Sequence, residues 1–93
     1  MKYEIILTSR FKKSLKNARK RGLDISLLEE VVDKLQANIK LEEKYHDHDL
    51  NGNFKGFREC HIQPDWLLIY LKVEDVLTLT LVDTGSHADL LKM

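Results

Sequence analysis

The hydrophobic pattern of this chain changes period partway along, and that change limits the folds open to it. From Ser9 to Ile39 apolar residues recur at helical spacing, whereas after Gly52 they gather into short runs rich in β-formers. A helical half followed by a strand half, in 93 residues, predicts an α+β fold in one domain covering residues 1–93. With 43% hydrophobic residues and one proline, the chain suits a small globular unit and not a disordered tail. A unit of this size has a thin stability margin, so a partner protein can add to it.

Tyr3 to Leu7 reads as a first strand, after which Thr8 or Ser9 offers a hydroxyl to cap a helix reaching about Arg21. Phe11, Leu15 and Ala18 place one apolar stripe inward on that helix, and Gly22 stops it. Asp24 or Ser26 caps a second helix with Leu28, Val31, Val32, Leu35 and Ile39 at helical spacing, so the two form an αα-hairpin. Residues 41–53 lose periodicity and read as a polar loop ending at Asn51-Gly52. Three strand runs follow, Phe54 to Ile62, Trp66 to Val73 and Val76 to Val82, as an antiparallel meander. Leu77, Leu79 and Leu81 alternate with threonines, which predicts a leucine face under the helices and a second face open to solvent or ligand. Gly85 permits a turn and Ser86 caps a final short helix. The order expected is β-α-α-β-β-β with a short terminal α, the helical hairpin packed on one sheet face.

The charges cancel overall, yet they are segregated. Residues 1–22 carry eight basic side chains against Glu4 alone, a net +7 balanced by −7 in the remainder. Such a segment is either a solvated helix face or a surface for a polyanion or an acidic partner. The lone Cys60 excludes an intramolecular disulfide and a cysteine-based zinc site, and fits a reducing cytoplasm. The start of the chain lacks the apolar length of a signal peptide or membrane span, so a cytoplasmic protein without membrane association is expected.

His46, His48, His61 and His87, with Asp47, Asp49 and Asp65, supply groups that exchange protons near neutral pH, all at predicted element ends. Spacing alone leaves open whether they share a site or scatter over the surface. The His46-x-His48 pair is a weak metal signature, since the zinc-finger and H-E-x-x-H patterns are absent; no metal or other cofactor is expected. Dispersed glycines at 22, 52, 56 and 85 exclude a phosphate-binding glycine loop. Trp66 reads first as core and second as a stacking platform for a base. Cys60 and its neighbour His61 point to opposite strand faces, so Cys60 reads as a small core residue and not as a nucleophile paired with that histidine.

Three blocks are specific in combination: Asp47-His48-Asp49-Leu50-Asn51-Gly52, His61-Ile62-Gln63-Pro64-Asp65-Trp66 and Thr84-Gly85-Ser86-His87. Their order over the whole chain resembles the YafQ branch of the RelE/ParE toxin superfamily. The resemblance implies a type II toxin that cuts translated messenger RNA on the ribosome, is neutralised by a cognate antitoxin of the RelB/DinJ kind, and meets operator DNA only through that antitoxin complex. It implies a catalytic set of His48, His61, Asp65 and His87, with Trp66 beside them. Trp66, Lys12, Lys13, Lys16, Arg19, Lys55 and Arg58 are the expected contacts to ribosomal or messenger RNA. In two places the chain departs from the family pattern: Asp83 stands where arginine is common, and Leu91 where phenylalanine is usual. A carboxylate at 83 favours a second reading, a weakly active toxin fold serving as antitoxin-binding co-repressor. The gyrase-inhibiting branch of the superfamily does not require such a histidine set.

Overall fold

The computed structural model describes residues 2–90. Strand β1 (Glu4–Leu7) leads through Thr8 into α1 (Ser9–Lys20), and the Thr8 hydroxyl caps that helix by accepting the Phe11 amide at 3.0 Å. Such a cap contributes about 1 kcal/mol. Helix α2 (Ile25–Gln36) starts at Asp24, whose carboxylate accepts the Ser26 amide at 3.0 Å. It stops three residues before Ile39, because Asn38 adopts a left-handed φ of 61° that ends the helix.

The polar loop holds more structure than its composition suggests. Within it lie a two-residue strand β2 (His48–Asp49) and 3-10 turns at Glu43–Tyr45 and Gly52–Phe54. The run expected to be extended from Phe54 instead begins at β3 (Arg58–Gln63), because Gly52 and Gly56 take positive φ values and turn the chain first. β4 spans Trp66–Val73 as expected, and β5 runs Thr78–Gly85, shifted toward the C-terminus relative to Val76 to Val82. The described residues end in the turn α3 (His87–Leu90), and position 91 lies outside them.

All five strands form one sheet of order β1-β5-β4-β3-β2. The sheet is mixed and not wholly antiparallel: β1 runs parallel to β5, Glu4 opposite Thr78 and Leu7 opposite Leu81. The whole helical hairpin and the meander intervene between these two strands, which leaves room for the crossover that a parallel pair requires. Gln36 fastens the start of β1 to α2, its carbonyl accepting the Tyr3 amide at 3.0 Å and its side-chain amide donating to the Tyr3 carbonyl at 2.9 Å.

The leucine face packs as predicted, with Leu79 and Leu81 buried against Phe11, Leu28, Val31 and Leu35 of the hairpin. Trp66, Leu68 and Tyr70 of β4 and Cys60 of β3 join the same core. On the opposite face Leu67 and Ile69 are covered by Leu90 of α3, with Phe57, Leu50 and Val82 at the margin. This second cluster seats the C-terminal turn on the face that also carries His61.

Candidate active site

Strand register alone brings the candidate residues together. His61 lies opposite Leu67, and Leu67 lies opposite Gly85 on its other side. Asp65 precedes Leu67 by two residues and His87 follows Gly85 by two, so in antiparallel strands the two meet just beyond the sheet. Gln63 pairs with Trp66 across Pro64 and Asp65, which places Asp65 at the tip of a two-residue turn. On the far side His48 lies opposite Glu59, and Glu59 shares a strand face with His61 by alternation.

The resulting cluster is tight. The His61 ring centroid lies 5.5 Å from that of His87, 6.3 Å from that of His48 and 5.4 Å from that of His46. All four expected catalytic residues, His48, His61, Asp65 and His87, therefore belong to one constellation. Glu59 joins it as a residue the sequence reading did not name, and His46 as one named there but not placed in the catalytic set. His46 takes a left-handed φ of 46°, which turns it back toward His61. A cleft of about 770 Å³ opens at His46, His48 and His61, walled by Leu27, Tyr45 and Pro64 among others.

Asp65 Oδ1 accepts both from the His87 amide at 3.0 Å and from its Nδ1 at 2.7 Å. Since a carboxylate accepts only, the proton is on Nδ1 and Nε2 is presented outward. These two hydrogen bonds hold the Asp65 carboxyl below its ordinary range, so it stays ionised. His48 donates from Nδ1 to the Asp49 carbonyl at 3.0 Å, which points Nε2 at Glu59 Oε1, 3.2 Å away. His61 Nε2 lies 3.7 Å from the same oxygen. Burial depresses the His61 pKa below 6.5, with the neighbouring histidines adding to the effect and Glu59 opposing it.

Glu59 is 4% exposed, and its second oxygen has no hydrogen-bond partner among the described residues. A buried carboxylate beside two imidazoles attracts a proton or a cation. His48, Glu59 and His61 offer three ligand atoms within 4.8 Å of one another, a donor set suited to a late first-row metal ion. The sequence motif His46-x-His48 pointed elsewhere; the structural set spans two strands and excludes His46.

The segment carrying His48 is fastened from below. Arg58 Nη1 lies 2.5 Å from Asp49 and Nη2 3.2 Å from Asp47, while the Tyr70 hydroxyl donates to Asp47 at 2.5 Å. The Arg58 guanidinium thus fixes both aspartates that flank His48. Trp66 is core, 2% exposed, and its indole Nε1 donates to Thr84 Oγ1 at 2.9 Å. A ring so placed supports the wall beside Asp65 and does not stack on a base, contrary to its assignment among the RNA contacts. Lys12, Lys13, Lys16, Arg19 and Lys55 are exposed. Asp83 is buried against α1, its Oδ2 2.7 Å from Arg10 Nε and its Oδ1 accepting from the Ser14 hydroxyl at 2.5 Å and the Thr84 amide at 2.8 Å.

A family model described as bacterial toxin of type II toxin-antitoxin system, YafQ, matches residues 3–92. The chain belongs to the YafQ toxin family. Among its relatives, mRNA interferase toxin YafQ of Escherichia coli (strain K12) is 40% identical over 88 residues, 94% of each chain. The fold is similar to that of the E. coli DinJ-YafQ toxin-antitoxin complex, with a TM-score of 0.88 at 35% identity over 97% of this chain and 98% of the other. A copper-bound mutant toxin from Helicobacter pylori matches with a TM-score of 0.89 at 38% identity, over 95% and 98% of the two chains. YafQ membership accounts for the α+β architecture and for the order of the three motif blocks. No helix among the described residues is long and apolar enough to cross a membrane.

Proposed function

We propose that this YafQ-family protein is a ribosome-dependent endoribonuclease that cleaves translated messenger RNA by acid and base catalysis and is neutralised by a DinJ-like antitoxin. The observation carrying this reading is the convergence of His48 and His87 on His61, with His48 and His61 beside a buried Glu59 and Asp65 orienting His87. The E. coli relative is named an mRNA interferase, and a solved relative is complexed with DinJ.

His61 or His48 takes the proton from the ribose 2′-hydroxyl as that oxygen forms a bond to phosphorus. The bond from phosphorus to the 5′-oxygen breaks, and His87, entering as the imidazolium with its Nδ1–H on Asp65, gives its Nε2 proton to the leaving oxygen and is left neutral. The products are a 2′,3′-cyclic phosphate and a 5′-hydroxyl. A depressed pKa keeps His61 neutral near pH 7, which suits a base. The exposed lysines of α1 supply salt-dependent attraction to ribosomal RNA. Programmed ribosomes incubated with the toxin test the reading: cuts within the translated codon ending in cyclic phosphate are expected, and an uncut message with soluble toxin moves the protein to the co-repressor reading.

A second reading concerns metal at the same site. The donor set His48, Glu59 and His61 and the copper-bound relative support binding of a copper-like ion, which would occupy the imidazole lone pairs that proton transfer needs. Such an ion inhibits cleavage and does not drive it. Added Cu²⁺ is expected to stop cutting and a chelator to restore it, whereas activity lost to the chelator would make the ion a cofactor.

A further inference from the structure

Arg21 directly follows α1 and crosses to the C-terminal turn. Its Nη1 donates to Asp89 Oδ2 at 2.8 Å and its Nη2 to Asp89 Oδ1 at 3.3 Å, a two-point contact between residues 68 apart in sequence. Asp89 is tied equally closely to the start of α3. Its Oδ2 accepts the Ser86 amide at 3.0 Å, and its own amide donates to Ser86 Oγ at 3.2 Å, the reciprocal pattern of a capping box. At Gly85 a Cβ would lie 3.0 Å from Asp89 Cβ, so the close seat of Asp89 on the preceding strand depends on glycine.

His87 sits inside this box, between Ser86 and Asp89. Asp65 holds its ring and amide from one side, while Asp89 holds its turn from the other. Over the described residues α3 is one turn, His87–Leu90, and that turn is oriented by what anchors it. Leu90 supplies an apolar anchor on Leu67 and Ile69. The polar anchor is Asp89, and Arg21 is what joins Asp89 to the helical hairpin. Arg21 also borders the cleft formed by Gln63, Pro64, Asp65, Trp66 and Ser86, directly beside the pair formed by Asp65 and His87.

We infer that Arg21 is a positioning residue for the general acid: through Asp89 it locks the single turn that aims His87 Nε2 at the leaving oxygen. The inference rests on the reading of His87 as proton donor. The latch ties the orientation of the acid to the packing of α1, the most basic element of the chain. Asp89 is held ionised, well below the ordinary carboxylate range, chiefly by its bond to Arg21, so the latch persists throughout the neutral range.

Arg21→Gln and Arg21→Lys, compared with wild type and His87→Ala, test this with two readouts. Single-turnover cleavage on programmed ribosomes is expected to slow about 10- to 100-fold in Arg21→Gln with little change in half-saturating toxin concentration, since a displaced catalytic group costs rate more than binding. Arg21→Lys, which keeps one charged hydrogen bond, is expected to recover most of the rate. In the free toxin, the His87 ring resonances of Arg21→Gln are expected to move toward those of an unstructured histidine, while those of His61 stay in place and urea unfolding remains cooperative. Wild-type rate and unmoved His87 resonances in Arg21→Gln overturn the inference alone. Full cleavage by His87→Ala overturns the reading of His87 as acid, and the inference falls with it.

Discussion

Arg10 Nε lies 2.7 Å from Asp83 Oδ2, so the carboxylate at the position where the family commonly carries arginine already has a cation, donated by α1. Ser14 and the Thr84 amide take its other oxygen. Asp83 is therefore a buried strut between α1 and β5, and among the described residues its polar partners include no histidine. Its negative charge is compensated locally, which weakens the case for an inactive relative.

Replacing that strut with the family residue is expected to harm folding before it helps chemistry. Asp83→Arg sets a second guanidinium against Arg10 and strips the Ser14 and Thr84 donors, at a cost of about 2 to 4 kcal/mol. Asp83→Asn keeps the shape and most of the hydrogen bonds and is expected to lose about 1 kcal/mol. Urea unfolding measures both, and an unchanged midpoint for Asp83→Arg would show that Asp83 is not a strut.

The depressed pKa of His61 sets a direction for stability against pH. As pH falls through 6.5 the unfolded chain protonates this residue first, so the folded state loses stability in that window and the loss levels off below the folded pKa. Above 6.5 His61 contributes no pH dependence. Wild type is thus expected to weaken relative to His61→Gln as pH falls below 6.5, and the acidic limb of cleavage is expected below pH 6.5. Parallel stability curves for the two proteins would remove burial as the force acting on this ring.

Much of this arrangement is legible in the sequence, and the exceptions have physical causes. The alternation of Leu77, Leu79 and Leu81 is strong because one face is dry, and it places the helices correctly. Past Leu81 the alternation breaks, because the register shifts there, with Tyr70 opposite Leu81 and Ile69 opposite Asp83, so Val82 is the extra residue and Thr84 comes opposite Leu68. β2 is only His48 and Asp49, too short to show a period. The parallel pairing of β1 is a matter of topology that no local pattern encodes. Glu59 could have been found, since it shares the His61 face by alternation; its burial could not, because that depends on what covers the strand.

Trp66 belongs to the core, and its substitution is expected to behave accordingly. Trp66→Phe loses the bond to Thr84 and part of the packing, at a cost of about 1 to 3 kcal/mol, while the folded fraction binds ribosomes as wild type does. Stability equal to wild type with weakened ribosome binding would restore the ring to the RNA surface.

The basic face of α1 makes a prediction of its own. Reversing charge at Lys12, Lys13 and Lys16 together is expected to weaken ribosome binding and to flatten its dependence on salt, by roughly one unit of slope for each phosphate contact removed. Unchanged affinity and slope would leave these lysines as solvated surface or as contacts to the antitoxin.

The most direct test is brief, tightly controlled induction of the wild-type protein and of His87→Ala in bacteria, with transcript 5′ ends mapped within minutes. Growth arrest with new cuts confined to translated regions, absent in His87→Ala, is the predicted result. Soluble wild-type protein that produces no such cuts, or a His87→Ala variant that produces them undiminished, would contradict catalysis by the histidine cluster.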